Sequence, residues 1–192
     1  MLNRLIVIVA LLSLTVVYAI WKRDALDNQL VSDSISETVL GKLPVGNFNR
    51  LDKTPFDVNE LFTSTPPELL VVHFWGTWCA PCEAELPALL TFIKRFEGRP
   101  GVKFLLVAVN DEVIKIEKHL KQMGVQDSSN IIWLLDNDDI HRQKYGTTRV
   151  PETYAFSSDK TTLRKFIGPQ AWGKPEFFQL FNEFIQISTS RL

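Results

Sequence analysis

The sequence predicts an α/β fold, in which helices flank a central sheet. Short apolar runs typical of strands alternate along the chain with segments whose apolar residues recur every three or four positions. The 192 residues include two cysteines, Cys79 and Cys82, which lie where one apolar run passes into a helical pattern. Residues 43–192 are long enough to bury a single core, so we interpret them as one domain.

The N-terminal residues 1–23 predict a membrane anchor or signal-anchor. Leu5 to Trp21 is a run of 17 uncharged residues, with Arg4 before it and Lys22-Arg23 after it. A spanning helix needs about 20 apolar residues and a signal-peptide core about 7 to 15, so the length falls between the two classes. We favour an uncleaved anchor in a lipid bilayer over a cleaved signal, because two basic residues follow soon after the best cleavage-like site, Val17-Tyr18-Ala19.

A polar linker is predicted between the anchor and the domain. Residues 24–42 are rich in serine and acidic residues and have Lys42 as a base near their end. The net charge of the chain is −1, and no basic block lies beyond the flanks of the apolar run. The sequence therefore does not indicate a nucleic-acid partner.

The predicted domain begins with a hairpin, a buried strand and a helix. Phe48–Leu51 and Phe56–Val58 are short runs that predict an N-terminal β-hairpin. Leu69–Trp75 is apolar, β-branched and aromatic, as in a strand that is buried on both faces. After the cysteines, one face of a predicted helix carries apolar residues for the core: Leu86, Leu89, Leu90, Ile93 and Phe96.

Two strand-helix units follow. Val102–Val109 predicts a strand, and Asn110 or Asp111 is a candidate cap for a helix that Gly124 ends. Ile131–Leu135 predicts the next strand, before a short helix around residues 138–145.

The acidic run Asp136–Asp139 resembles the start of a calcium loop. It lacks the glycine and the closing glutamate of such a loop, so helix capping is the favoured role. Beyond it, Thr153–Ser157 and Thr162–Ile167 alternate as the two strands of a hairpin. Pro175–Ile187 predicts a final helix with a phenylalanine-rich core face.

The two cysteines have the C-x-x-C spacing of a redox pair. At the start of a helix, free backbone N–H groups and the helix dipole favour the thiolate of Cys79, which would be the nucleophile. Cys82, one turn further, would resolve the mixed disulfide. Pro81 fits the first helical turn, where its missing N–H would have had no partner.

Three other interpretations of the pair are weaker. A structural zinc site needs four ligands, and His73, His119 and His141 are scattered along the chain. A purely structural disulfide gains little from closing so short a loop. A peroxidase of the peroxiredoxin type would need Thr or Ser where Gly76 stands. We therefore predict neither a metal nor a cofactor.

Residues from about 43 to 184 resemble the membrane-anchored thioredoxin-like oxidoreductases of the TlpA, ResA and DsbE/CcmG group. The block Phe74–Pro87 matches the active-site sequence of that group, including Trp78 before the first cysteine. Val150-Pro151-Glu152-Thr153-Tyr154 resembles its cis-proline loop. The resemblance implies a thioredoxin-like fold with a central mixed sheet and a cis bond at Pro151. It also implies that the Val150 backbone pairs with an extended substrate.

The resemblance further implies a function and a location. Proteins of this group face the outside of the bacterial cytoplasmic membrane and reduce protein disulfides, those of apocytochrome c among them, during cytochrome c maturation. Their electrons would come from a transmembrane thiol carrier. A general disulfide isomerase or oxidase remains an alternative. A copper-handling module on the same fold is a weaker one, because copper-delivery relatives use C-x-x-x-C.

Two acidic residues fall where the group also has carboxylates near the active site. Glu85 lies three residues after Cys82 and so shares its helix face. Glu152 follows the predicted cis-proline. Their simpler roles would be a complement to the helix dipole and a solvated loop charge. Carboxylates near Cys79 would disfavour its thiolate, so we expect a potential nearer about −270 mV than about −120 mV.

His73 is a departure from the group, which usually has asparagine here. One hypothesis is that neutral His73 accepts the proton of Cys82. The other interpretation, which we favour, is a core histidine satisfied by hydrogen bonds.

Overall fold

The computed structural model describes residues 41–44 and 46–190, together with residues 14, 15, 17, 18 and 22. The chain divides into two units, Met1–Ser36 and Glu37–Leu192. Most of the predicted anchor and nearly all of the predicted linker therefore lie outside the described residues. Within the described part, no helix has both the length and the apolar character needed to cross a membrane.

A mixed sheet of seven strands forms the centre of the described part of the second unit. Its order is β2-β1-β5-β4-β3-β6-β7, and β3, β4 and β5 run parallel while the remaining pairs are antiparallel. The strands are β1 Asn47–Arg50, β2 Pro55–Asp57, β3 Leu69–Trp75, β4 Val102–Val109, β5 Ile131–Asp136, β6 Glu152–Ser157 and β7 Thr162–Ile167. Because parallel strands end at the same edge, the residues that follow β3, β4 and β5 meet there.

Helices cover both faces of this sheet. They are a 3-10 helix Val58–Phe62 and the α-helices α1 Ala80–Lys94, α2 Val113–Gln122, α3 Ile140–Lys144 and α4 Pro175–Thr189. All seven residues of β3 are buried, as expected for a strand with packed layers on either side. The predicted mixed sheet with flanking helices and an N-terminal hairpin is confirmed.

Two hydrophobic clusters fill the space between the layers. The first joins α1 and α4 to the sheet, and its aromatic rings include Phe92, whose centroid lies 4.9 Å from that of Phe181 and 5.4 Å from that of Trp172. The second lies on the opposite face and contains Tyr145 and Tyr154. A fully buried phenylalanine contributes about 1.5 to 3 kcal/mol, so the first cluster holds α1 and α4 against the sheet.

One local prediction was wrong, and another was confirmed in part. The N-cap of α2 is Glu112, not Asn110 or Asp111. Asn110 has a positive φ of 47° and hydrogen-bonds to Asp139, while the carboxylate of Asp111 is used by the turn before α1. The acidic run caps α3 through Asp136, which accepts the backbone N–H groups of residues 141 and 142, whereas the N-cap residue Asp139 makes no such side-chain hydrogen bond.

Candidate active site

The two cysteines form a disulfide at the N-terminus of α1. Cys79 is the N-cap residue, and the backbone N–H of Cys82 points at its Sγ over 3.3 Å. Pro81 lies in the first turn, as predicted. Cys79 is 6% exposed and Cys82 is 1% exposed, so an incoming group meets Cys79 first.

The turn before the disulfide is tied to the end of β4. The backbone N–H and the hydroxyl of Thr77 donate to the carboxylate of Asp111 over 2.6 and 2.9 Å. Trp78 is 59% exposed, and its Nε1 donates to the carbonyl of Val109 over 2.8 Å. A Cβ at Gly76 would lie 2.7 Å from that Nε1, so glycine makes room for the indole.

The predicted cis-proline loop lies beside the disulfide. The Val150-Pro151 peptide bond is cis, which confirms the prediction. The carbonyl oxygen of Val150 lies 3.7 Å from Sγ of Cys79. The carbonyl of Pro151 accepts the N–H of Gly168 over 2.9 Å, which fixes the other side of the loop.

A buried ion pair supports this loop from within the sheet. Glu152 is 1% exposed, and its Oε2 lies 3.1 Å from Nζ of Lys165 and accepts the hydroxyl of Tyr154 over 2.9 Å. Lys165 Nζ also donates to the carbonyl of Gly146 over 3.0 Å. Glu152 is therefore not a solvated loop charge, because it is buried and forms an ion pair with Lys165. Burial raises the pKa of Tyr154, which keeps the hydroxyl a donor.

Glu85 ties α1 to the segment before α4. Its Oε2 accepts the backbone N–H of Gln170 over 2.7 Å and the Nε1–H of Trp172 over 2.9 Å. The residue is 6% exposed, so a surface complement to the helix dipole does not describe it. Burial raises the pKa of Glu85 to about 7, against the opposing effect of the two hydrogen bonds.

His73 lies in the middle of β3 and faces Glu85. Its Nδ1 is 2.8 Å from the hydroxyl of Thr153, and its Nε2 is 3.7 Å from Oε1 of Glu85. Neither Nε2 nor Oε1 has a hydrogen-bond partner within the described residues. Burial lowers the pKa of His73 to about 3, so the ring is neutral and the contact is not an ion pair at neutral pH. Its part in proton transfer stays a prediction.

Several partners of the site were not expected from the sequence. Lys165 and Asp111 are single charged residues in ordinary strand and loop patterns, and Trp172 lies between the last strand and α4, where no motif marks it. Lys165 stands opposite Tyr154 in the β6-β7 register. Because Glu152 pairs with Ile167, this register puts Lys165 diagonal to Glu152 on the same face of the sheet, which the sequence alone did not specify.

Comparison with known proteins assigns the family. The sequence model of the Redoxin family matches residues 38–180. The thiol-disulfide oxidoreductase ResA of Bacillus subtilis (strain 168) is 29% identical over 97 residues, which cover 50% of this chain and 51% of the relative. ResA of Geobacillus thermodenitrificans is 30% identical over 88 residues, which cover 46% and 48%. The chain spans about half the length of the curated relatives it matches.

Solved structures give the fold. A DsbE-like thiol:disulfide interchange protein from Chlorobium tepidum superposes with a TM-score of 0.64 at 16% identity, covering 78% of this chain and 99% of the other. A thioredoxin-like protein from Neisseria meningitidis gives 0.63 at 17% identity, covering 78% and 93%. The fold is thus thioredoxin-like, and the predicted resemblance to the ResA and DsbE group is confirmed. With three quarters of its length matched by one family, this chain belongs to the Redoxin family.

Proposed function

We propose that this protein is a membrane-anchored, extracytoplasmic thiol-disulfide oxidoreductase that reduces protein disulfides. The observation that carries the proposal is the position of Cys79, which caps α1 and has the Val150 carbonyl 3.7 Å from its Sγ. This arrangement supports thiol exchange, because a sulfur at a helix N-terminus lies beside backbone with which an extended client could pair. The curated relatives are named thiol-disulfide oxidoreductases, which supports the same activity.

The reaction uses the two sulfurs in sequence. In the reduced protein, the Cys79 thiolate attacks one sulfur of a client disulfide, and the other client sulfur leaves as a thiolate. Cys82, once deprotonated, attacks Sγ of Cys79 and releases the first client sulfur. The products are the Cys79–Cys82 disulfide and a client dithiol, so two electrons and two protons reach the client. A separate dithiol donor then reduces the protein again.

The differing exposure of the two sulfurs supports these roles. Cys79 lies at the positive end of the α1 dipole, where the N–H of Cys82 favours a thiolate. Cys82 is 1% exposed and can meet only a sulfur already attached to Cys79. Glu85, on the same face of α1 and with its pKa raised to about 7, has the right proton affinity to accept the Cys82 proton near neutral pH.

The client and the location follow from the family resemblance. We take apocytochrome c before haem attachment as the client and a transmembrane thiol carrier as the electron donor. The uncharged run from Leu5 to Trp21 supports an anchor in the bacterial cytoplasmic membrane. A disulfide pair of this kind persists outside the cytoplasm.

Trapping the client tests this proposal. Full-length protein with Cys82→Ala, expressed in cells, should accumulate a mixed disulfide through Cys79, and mass spectrometry identifies the attached protein. Cytochrome c precursors would support the proposal, whereas many unrelated clients would favour a general isomerase or oxidase. The matched control carries Cys79→Ala as well and should trap nothing. Absence of any adduct with Cys82→Ala would contradict thiol exchange.

The reduction potential tests whether the protein reduces or oxidises its client. Equilibration of the protein with glutathione or dithiothreitol buffers should give a value nearer about −270 mV than about −120 mV. The helix terminus favours the Cys79 thiolate, but no cation is contributed by Ala80 or Pro81 to strengthen that effect. A potential above about −150 mV would contradict a reductase and support an oxidase.

A further inference from the structure

The loop beside the disulfide is hydrogen-bonded at both of its ends, whereas the backbone N–H groups in its middle have no partner among the described residues. Lys165 holds the carbonyl of Gly146, and Arg142 Nη1 donates to the carbonyl of Thr148 over 3.3 Å. At the other end, the N–H of Gly168 binds the carbonyl of Pro151. The unheld stretch between these points is Arg149-Val150, whose second residue faces Cys79.

Arg149 is a cation without a partner at this point. Its side chain is exposed, and it makes no hydrogen bond, ion pair or ring contact with the part of the chain that the structure describes. Since Val150 touches the sulfur, the Arg149 backbone is one residue away from the reacting atoms. A guanidinium here can reach the residues that flank a client cysteine, and its planar fork suits a carboxylate.

Several other charges at this edge of the sheet are already engaged. Lys115 pairs with Glu112, and Arg142 pairs with Asp139 over 2.9 Å. Asp111 is 7% exposed and accepts two hydrogen bonds from Thr77. These groups have less to offer a client than an exposed arginine with no partner.

We propose that Arg149 determines client specificity by binding an acidic residue next to the client cysteine. The inference rests on the proposed reductase function and adds a preference for acidic segments to it. The client lies extended along Val150, and the exposed side chain of Arg149 contacts the carboxylate of the client's acidic residue. An exposed ion pair of this kind gives about a two- to fivefold preference, which rising salt concentration weakens.

Three synthetic disulfide-bonded peptides test the preference. They differ in the two residues that flank one cysteine, which are aspartate, asparagine or lysine. With full-length protein, kcat/KM should be highest for the aspartate peptide and lowest for the lysine peptide. Arg149→Gln should bring the ratios close to one, and Arg149→Glu should invert their order. The ratios should also shrink when the salt concentration is raised from 0.05 M to 0.5 M. This change shortens the electrostatic screening length about threefold.

Lys121→Gln is the matched control. Lys121 is exposed near the C-terminal end of α2, which runs back from the edge of the sheet that holds the disulfide. Its loss changes the net charge by the same amount and should leave the ratios as in the wild type. A shift equal to that of Arg149→Gln would assign the preference to overall charge and overturn the role of Arg149.

The asparagine peptide distinguishes failure of the proposed reductase function from failure of the Arg149 inference. If the wild-type protein does not reduce it, the proposed reductase function fails. If the wild type reduces all three peptides equally, the reductase function stands and the Arg149 inference is overturned. An order that survives in Arg149→Glu would overturn it as well.

Discussion

Glu85 and His73 face each other in the core with 3.7 Å between Oε1 and Nε2. Both atoms lack a hydrogen-bond partner within the described residues, and both side chains are almost fully buried. Burial shifts the two pKa values in opposite directions, to about 7 for Glu85 and about 3 for His73. Two neutral groups therefore meet here below pH 7, and the proton of Glu85 is the one that changes in the physiological range.

Replacing Glu85 with glutamine should flatten part of the pH dependence of stability. The folded-state pKa of Glu85 lies above its ordinary value of 4.5, so the folded protein binds the extra proton between pH 4.5 and about 7. The free energy of unfolding therefore falls as pH rises through this window, by about 3 kcal/mol from this group. His73 acts oppositely, because its lowered pKa makes stability rise with pH between about 3 and 6.5.

Urea unfolding at several pH values isolates the Glu85 effect. Between pH 6.5 and 8 the His73 contribution is constant, so the wild type should lose stability while Glu85→Gln stays more nearly level. Glutamine keeps an oxygen for the N–H groups of Gln170 and Trp172, so the loop contacts are preserved. Parallel curves for the two proteins would contradict the raised pKa.

His73→Asn should shift the pH profile of disulfide reduction. Asparagine can keep the contact with Thr153, but it leaves space where the ring faced Glu85. Water in that space would solvate the carboxylate and lower its pKa, which moves the acid limb of kcat/KM to lower pH. The control is His119→Asn, because His119 contacts Glu83 and not Glu85. An unchanged profile in His73→Asn would remove His73 from the proton transfer.

Lys165→Met should be strongly destabilising. It leaves the Glu152 carboxylate buried without its cation, a change that typically costs about 3 to 5 kcal/mol. Adding Glu152→Gln to the same protein should restore much of the loss, since the uncompensated charge is gone. Urea unfolding of the two single variants and the double variant measures this coupling. Lys115→Met removes an exposed ion pair and should change stability little. Equal effects of the two lysine variants would refute the buried pair.

Gly76→Ala should disturb the turn that presents Cys79. The new Cβ would lie 2.7 Å from Nε1 of Trp78, so the indole must leave the Val109 carbonyl. Loss of that hydrogen bond costs about 1 kcal/mol, and disulfide exchange should slow because the turn is no longer fixed. Gly173→Ala is the control, since nothing lies within 4 Å of its Cβ. Thermal unfolding and peptide reduction would then be measured for both, and identical behaviour would contradict the packing argument.

The strands and the reactive turn could be predicted because their signals are local. Leu69–Trp75 is a continuous apolar run, and the structure places β3 at the same bounds. The cis bond at Pro151 came from family resemblance, since local sequence alone strongly favours trans. Helix capping was less predictable, because Asn110 and Asp111 both have good capping side chains and tertiary contacts use them elsewhere.

The contacts that hold the site together could not be predicted from local sequence patterns. Glu85 meets Gln170 and Trp172, which lie 85 and 87 residues further along the chain. No periodicity connects such positions, and their meeting depends on how α1 and α4 pack. The compensation of Glu152 by Lys165 likewise depends on the exact register of a hairpin. Sequence therefore identified the carboxylates near the disulfide but not their charge state.

The low exposure of Cys79 also limits which disulfides can reach it. Cys79 is 6% exposed, so a disulfide on an extended segment can approach it more easily than one held inside a folded domain. Under the proposed function, the protein would therefore act on the cysteines of a polypeptide before it folds and not on the same cysteines afterwards.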